Sequence, residues 1–183
     1  MTPPRSGTIL AVSGTATAGP PPARPHTVFT MSNAVQKNAH HTTEFRTESF
    51  GVPWESRYGY VQAVKRGDTI HLSGQVAHDG TELVAPAPVD DAGLVTDFAN
   101  TGAQLRQCYA NAAELLRRFG ASLDDVVEEV IHAVDVDAAD AAAGPVRKEA
   151  YGRPDPQVAS TMIGTPRLAF RELLVEVRFV ARV

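Results

Sequence analysis

The chain is poor in cysteine, in long apolar runs and in net positive charge, and each shortage removes a class of protein. Cys108 is the sole cysteine, which excludes an intrachain disulfide framework and leaves too few thiols for a zinc ribbon. A lone thiol fits a reducing compartment, and the cytoplasm is the expected location. No stretch approaches the ~18 consecutive apolar residues of a membrane span. Near the N-terminus Arg5 is followed by the run Ile9-Leu10-Ala11-Val12, shorter than the ~7 apolar residues that a secretory signal requires. Lys and Arg total 17 against 21 Asp and Glu, a formal net charge of −4. No basic stripe stands out to neutralise phosphates, so nucleic acid is not an expected partner. No His, Cys or carboxylate cluster has ligand spacing, and the pair His40-His41 stands in a loose segment without a third ligand. Neither a metal nor an organic cofactor is expected.

What is present is ordinary globular material: 183 residues, 43% hydrophobic and 21% charged, enough for one domain with a real core. Residues 1–40 differ. They are rich in Pro, Ala, Thr, Ser and Gly, include Pro20-Pro21-Pro22, and carry neither the helical nor the strand period. Such a segment cannot bury enough apolar surface to offset its ordering entropy, so a flexible leader over 1–40 is expected before a folded domain over 41–183. Met31 lies inside the leader, which leaves translation from Met1 and from Met31 both open.

From residue 42 onward the pattern sharpens. Thr43-Glu44-Phe45-Arg46-Thr47, Tyr60-Val61-Gln62-Ala63-Val64 and Thr69-Ile70-His71-Leu72-Ser73 read as three antiparallel strands. The stretch from Gly74 to Val95, with Asp79-Gly80 and Asp90-Asp91, reads as loop holding one short strand at most. Thr96 offers an N-cap to a long helix whose apolar stripe runs through Phe98, Gly102, Leu105, Cys108, Tyr109, Ala112, Leu115, Leu116 and Phe119 to a stop at Gly120. Cys108 on that stripe reads as a small core residue. Val126 to Val134 is β-branched and reads as a buried strand. Ala138 to Tyr151 reads as a second helix with a kink or restart at Gly144-Pro145. Gln157–Ile163 and Leu173–Val180 close the domain as strands. The sum is an α+β fold, a mixed six-stranded sheet with two helices on one face.

Four phrases resemble the Rid (YjgF-type) family, reactive imine and enamine deaminases, in order over about residues 52–183. They are Tyr58-Gly59-Tyr60-Val61-Gln62-Ala63-Val64 with Gly67-Asp68 and Leu72-Ser73-Gly74-Gln75, then Gly120-Ala121-Ser122-Leu123-Asp124-Asp125-Val126-Val127, Asp135-Val136-Asp137, and Leu174-Val175-Glu176-Val177. The resemblance implies a chorismate-mutase-like fold and a homotrimer with clefts at subunit interfaces. It also implies hydrolysis of an imine or enamine to a carbonyl compound and ammonia. Glu176 matches the glutamate that orients water. Tyr60 matches the aromatic covering the substrate, and Ser73 with Gly74 matches a turn that supplies hydroxyl and backbone contacts. From the residues alone, Glu176 reads equally as a solvent-facing charge, Tyr60 as sheet surface and Ser73-Gly74 as a strand end. His71 shares a face with Ser73, and His132 stands where the family carries an aromatic; both read as structural histidines.

The chain departs from the family at the substrate-binding arginine, whose bidentate grip on a carboxylate no other side chain reproduces. The matching position is Thr161, followed by Met162, and the slightly earlier placement used by a related subgroup is Gln157. The nearest cations in the sequence are Arg153 before this strand and Arg167 after it, and a family asparagine corresponds to Ala143. Thr161 and Met162 are therefore expected to line a roomier cleft that does not favour simple 2-imino acids. Two functions stay open. One is an enzyme acting on a larger or uncharged imine, enamine or enol, as in a specialised biosynthetic pathway. The other is a non-catalytic trimeric small-molecule-binding or accessory protein.

Overall fold

The computed structural model describes residues 45–183. The leader, Met31 and the pair His40-His41 lie outside the described residues. Within them a six-stranded sheet runs in the order β1-β2-β3-β8-β6-β7. Its strands are β1 (Phe45–Glu48), β2 (Ala63–Arg66), β3 (Thr69–Gln75), β6 (Val126–Ala133), β7 (Ala159–Gly164) and β8 (Val175–Arg182). All neighbours are antiparallel except β6 and β7. That parallel pair is joined by a helix, α3 (Val136–Tyr151), as a parallel crossover requires. A hairpin of two-residue strands, β4 (His78–Asp79) and β5 (Glu82–Leu83), fills part of the stretch expected to be loop.

One face of the sheet is covered and the other is not. On β8, Val175, Val177, Phe179 and Ala181 are buried while Glu176, Arg178, Val180 and Arg182 alternate with them on the outer face. The long helix α2 (Thr101–Arg118) lays Leu105, Cys108, Tyr109, Ala112, Leu115 and Leu116 on the covered face, joined there by Ala139, Ala143 and Val146 of α3. Cys108 is fully buried, which matches its reading as a core residue, and burial holds its thiol well above the ordinary range.

The structure corrects three local expectations. Thr96 is not the cap of α2: its hydroxyl donates to the Pro88 carbonyl, Asp97 closes a turn by accepting from Ala99 N, and the helix begins at Thr101. Thr96 thus serves the preceding loop, and Phe98 stays outside the helix. Gly144-Pro145 does not interrupt α3, which runs unbroken from an Asp135 cap, accepting from Ala138 N at 2.7 Å, to a left-handed Gly152. Pro145 is exposed, so the carbonyl it leaves unpaired faces water instead of the core. Finally, Tyr60 does not begin a strand. A short helix, α1 (Pro53–Tyr58), precedes it, and β2 starts at Ala63. Six residues are too few to display a helical period.

Inside the covered face lies one charged group that the apolar stripe conceals. Glu129 on β6 is fully buried. It accepts from the Tyr109 hydroxyl at 2.7 Å and from Arg147 Nε at 2.6 Å, and the same guanidinium donates to Ser160 Oγ on β7 at 2.8 Å. The cluster ties α2, α3, β6 and β7 together. Burial, reinforced by the Glu129 charge, pushes the Tyr109 phenol above its usual range. Removing one partner of such a pair strands the other charge in the interior. Arg147→Ala is expected to lower unfolding free energy by about 3 kcal/mol, measured by urea denaturation. A loss below about 1 kcal/mol, the value of a surface pair, would contradict the role given to Arg147.

Candidate functional site

The site begins with a bulge. Leu72 of β3 pairs with Phe179 of β8, but the next paired residues are Gln75 and Val177, so Ser73 and Gly74 together face Arg178 alone. An extra residue of this kind bends a strand and redirects its neighbours. The Glu176 side chain crosses directly over Gly74: a Cβ at position 74 would overlap Glu176 Oε1 and lie 2.8 Å from its Cγ. A side chain at this position would push the flexible end of Glu176 aside, so glycine lets the carboxylate lie over the strand. Among the described residues no side-chain hydrogen bond reaches the Glu176 carboxylate. Burial lifts its affinity for a proton above the ordinary carboxylate range, and the His132 ring opposite it on β6 opposes that rise without cancelling it.

Around this carboxylate stands an aromatic wall. Trp54, Tyr58, Tyr60, Gly74, Val76, Ala169, Phe170 and Glu176 line a cavity of about 290 Å³. Trp54 and Tyr58 come from α1, whose position is fixed by the buried Glu55: its two carboxylate oxygens accept from Phe50 N and Gly51 N, each at 2.9 Å. Gly59 ends α1 in the left-handed conformation, φ 70°, and swings Tyr60 to the cavity. The Trp54 ring is clamped edge-on against Phe170 at 5.5 Å and against His78 at 5.2 Å. Burial raises the Tyr60 phenol above its ordinary range, and the Glu55 and Glu176 charges add to the rise against a hydrogen bond with Gln62.

The far wall hangs from α2 through buried amides. Gln104 accepts from Leu174 N at 2.8 Å and donates to the Glu172 and Ala85 carbonyls at 2.8 and 2.9 Å. Asn111 donates to the Val76 and His78 carbonyls at 3.0 and 3.1 Å, and Gln107 donates to Asn111. These contacts hold the chain at Val76 and His78 and the loop that leads from Phe170 into β8. Residues 104, 107 and 111 lie on one helical face.

Of the residues singled out from the sequence, Glu176, Tyr60 and Gly74 meet in this cavity. Ser73 adjoins it, but its hydroxyl is engaged, donating to the Val61 carbonyl at 2.7 Å. Thr161 shares the outer face with Glu176 but sits two strands away in the row Arg178–Val130–Thr161, not in the row Glu176–His132–Ile163. Met162 points to the opposite face and packs on the core. Within one chain neither joins the cavity. His71 is exposed opposite Val180, whereas His132 pairs across the strands with Glu176. Ala143 is core, and Gln157 donates to the Asp155 carbonyl. Arg153 pairs with Asp124, and Arg167 lines a separate cavity with Phe98 and Arg171. The residues that the sequence reading missed are Trp54, Tyr58, Val76, Ala169 and Phe170. Tyr58 belonged to a quoted phrase, and Trp54, as the sole tryptophan, was a signal in its own right. Arg178 was also missed; it follows Glu176 on the same face and is paired with Glu128.

A carboxylate whose proton affinity is higher in the folded than in the unfolded chain favours folding when protonated, and that contribution is lost as pH rises through the folded value. Near neutral pH the native state therefore bears the cost of a buried charge at Glu176. Glu176→Gln is expected to raise Tm by about 2–4 °C near neutral pH, with the gain vanishing below about pH 4, where the unfolded chain is also protonated. Scanning calorimetry over that range reads it. A Tm lowered at neutral pH would show that the carboxylate is satisfied as an ion.

Comparisons with known proteins bear on the family and the fold. A family model described as Endoribonuclease L-PSP matches residues 53–183. Rv2704 of Mycobacterium tuberculosis, described as a member of the YjgF/YER057c/UK114 family, is 26% identical, with a TM-score of 0.59 over 76% of this chain and 100% of its own. PA3499 of Pseudomonas aeruginosa, 24% identical, has a TM-score of 0.61 over 76% of this chain and 93% of its own. YyfA of Yersinia pestis, described as of the Rid family, has a TM-score of 0.52 at 21% identity, over 68% of this chain and 87% of its own. No curated protein matches. With a family model covering every element from α1 to β8, and solved structures of that family sharing its fold, the chain belongs to the Endoribonuclease L-PSP family, the YjgF/Rid family.

Proposed function

We propose that the protein is a Rid-type enzyme that uses Glu176 to activate water, or to move a proton, on a reactive imine, enamine or enol. The observation that carries this reading is the Glu176 carboxylate, raised in proton affinity and laid over Gly74 inside an aromatic cavity. A group poised in this way can take a proton from water and return it. For an imine, the water oxygen adds to the C=N carbon and the π pair moves to nitrogen while Glu176 accepts the water proton. The protonated Glu176 then delivers that proton to nitrogen, giving a carbinolamine. Glu176 next takes the hydroxyl proton and passes it to the same nitrogen, the C=O bond forms as the C–N bond breaks, and ammonia and a carbonyl compound leave. The position matching the family arginine, Thr161, supplies no cation, so simple 2-imino acids are not the preferred substrate.

The family description names an endoribonuclease. The net charge of −4 and a carboxylate at the centre of the cavity favour a small molecule over RNA. A homotrimer is part of the proposal: the outer sheet face bearing His71, Val180, Thr161 and Ile163 is uncovered in one chain, and Ile163 is 46% exposed. Light scattering at the trimer mass is expected; a monomer would contradict it. A second reading, a trimeric binding or accessory protein without catalysis, is favoured by the engaged Ser73 hydroxyl, which leaves Glu176 without a hydroxyl partner.

A screen for ammonia and carbonyl release decides between them, with imines generated in place and Glu176→Ala and Gly74→Ala as controls. Loss of general-base help typically costs 10²–10⁴-fold. The wild type is expected to turn over at least one uncharged imine or enamine, with both variants at least ~100-fold slower. Equal rates in wild type and Glu176→Ala would overturn the proposal, and saturable binding without any turnover would establish the second reading.

A further inference from the structure

The cavity carries its own statement about what it binds. Four of its lining residues, Trp54, Tyr58, Tyr60 and Phe170, are aromatic; Glu176 is the one charged lining group, and none is cationic. Within one chain the nearby charges are few. Glu55 is spent on two backbone amides, Arg178 is paired with Glu128, and His132 lies across the strands from Glu176. The exposed Tyr58 ring carries the Arg57 guanidinium 5.5 Å from its centroid, which leaves the Trp54, Tyr60 and Phe170 rings for a ligand. Aromatic faces and an unpaired carboxylate create a negative potential that favours positive ligands and opposes anions. Both nearby carboxylates add to the rise in proton affinity at Tyr60. At about 290 Å³ the space sits at the lower end of the range of ligand pockets, which is ~300–1,000 Å³. It suits one ring with a short arm.

We propose that this cavity selects a protonated nitrogen, an ammonium or iminium, carried on a compact apolar or aryl body that lacks a carboxylate, with the nitrogen at Glu176 and the body against the aromatic wall that Trp54 and Phe170 form together. The substrate class of the reaction proposed above would then be imines of simple amines, and this inference rests on that reading. The chain holds one tryptophan, so its fluorescence reports on this cavity without labelling.

The test titrates the full-length protein near neutral pH with three probes of like size, benzylammonium, benzyl alcohol and benzoate, followed by Trp54 fluorescence and by calorimetry. The expected order is benzylammonium tightest, at least 10-fold tighter than benzoate. Glu176→Gln is expected to remove at least 10-fold of the ammonium preference while leaving benzyl alcohol unchanged, and Phe170→Leu to weaken all three. Benzoate binding as tightly as benzylammonium, an ammonium preference untouched by Glu176→Gln, or no saturable binding of any probe by either method would each overturn the inference. The two proposals fail separately. Selective ammonium binding without turnover of any imine would refute the enzyme and keep the ligand class. Glu176-dependent turnover confined to carboxylate-bearing imines would keep the enzyme and refute the ligand class.

Discussion

The Glu176 side chain lies over the backbone of Gly74 in a space that a Cβ could enter only by displacing the carboxylate, and the rest of the site depends on that contact. The bulge at Ser73-Gly74 brings the β3 backbone under the carboxylate. The buried face of β8, from Val175 to Ala181, fixes where the strand lies and therefore where Glu176 emerges. A side chain at residue 74 would force the glutamate away, and the cavity would keep its aromatic walls but lose its proton-handling group. Packing of the sheet and chemistry of the site thus meet at a single residue without a side chain.

Two glutamates of the central strands, Glu129 on β6 and Glu176 on β8, are treated oppositely. Glu129 faces the core and is given a phenol and a guanidinium, so that its charge is compensated and serves to fasten helices to sheet. Glu176 faces outward into the aromatic cavity and is given no hydrogen-bond donor among the described residues, so its charged form is the costly one. The difference between a structural carboxylate and a reactive one lies in what surrounds them, since both occupy β-strands one pairing apart. The amides of α2 serve the site in a third way. Gln104 and Asn111 carry no chemistry of their own, but they hold the segments that bring Val76 and Phe170 to the cavity.

Much of the sheet was legible because alternation is a local signal: β3, β6 and β8 each bury every second residue over most of their length, and α2 buries one stripe at helical spacing. Glu176, Tyr60 and Gly74 were legible through the family phrases. What failed was what depends on distant partners. Thr96 has the chemistry of a cap but is taken by Pro88, and Pro145 carries the chemistry of a break but faces solvent. Met162 and Thr161 are adjacent in sequence, so the strand sends them to opposite faces, Met162 to the core and Thr161 to the outer face. Trp54 and Phe170 lie far apart in the chain and meet through tertiary folding alone.

The central claim is that Glu176 binds a proton more tightly than an ordinary glutamate because burial among aromatic rings outweighs the help of His132. The direct measurement is a carbon-detected NMR titration of side-chain carboxyls in uniformly labelled protein, with the Glu176 signal assigned from its absence in Glu176→Gln. The account predicts a midpoint clearly above the ordinary glutamate value of ~4.3, falling back toward that value when Trp54 and Phe170 are replaced by smaller, polar residues. A midpoint at or below the ordinary value in the unaltered protein would contradict it.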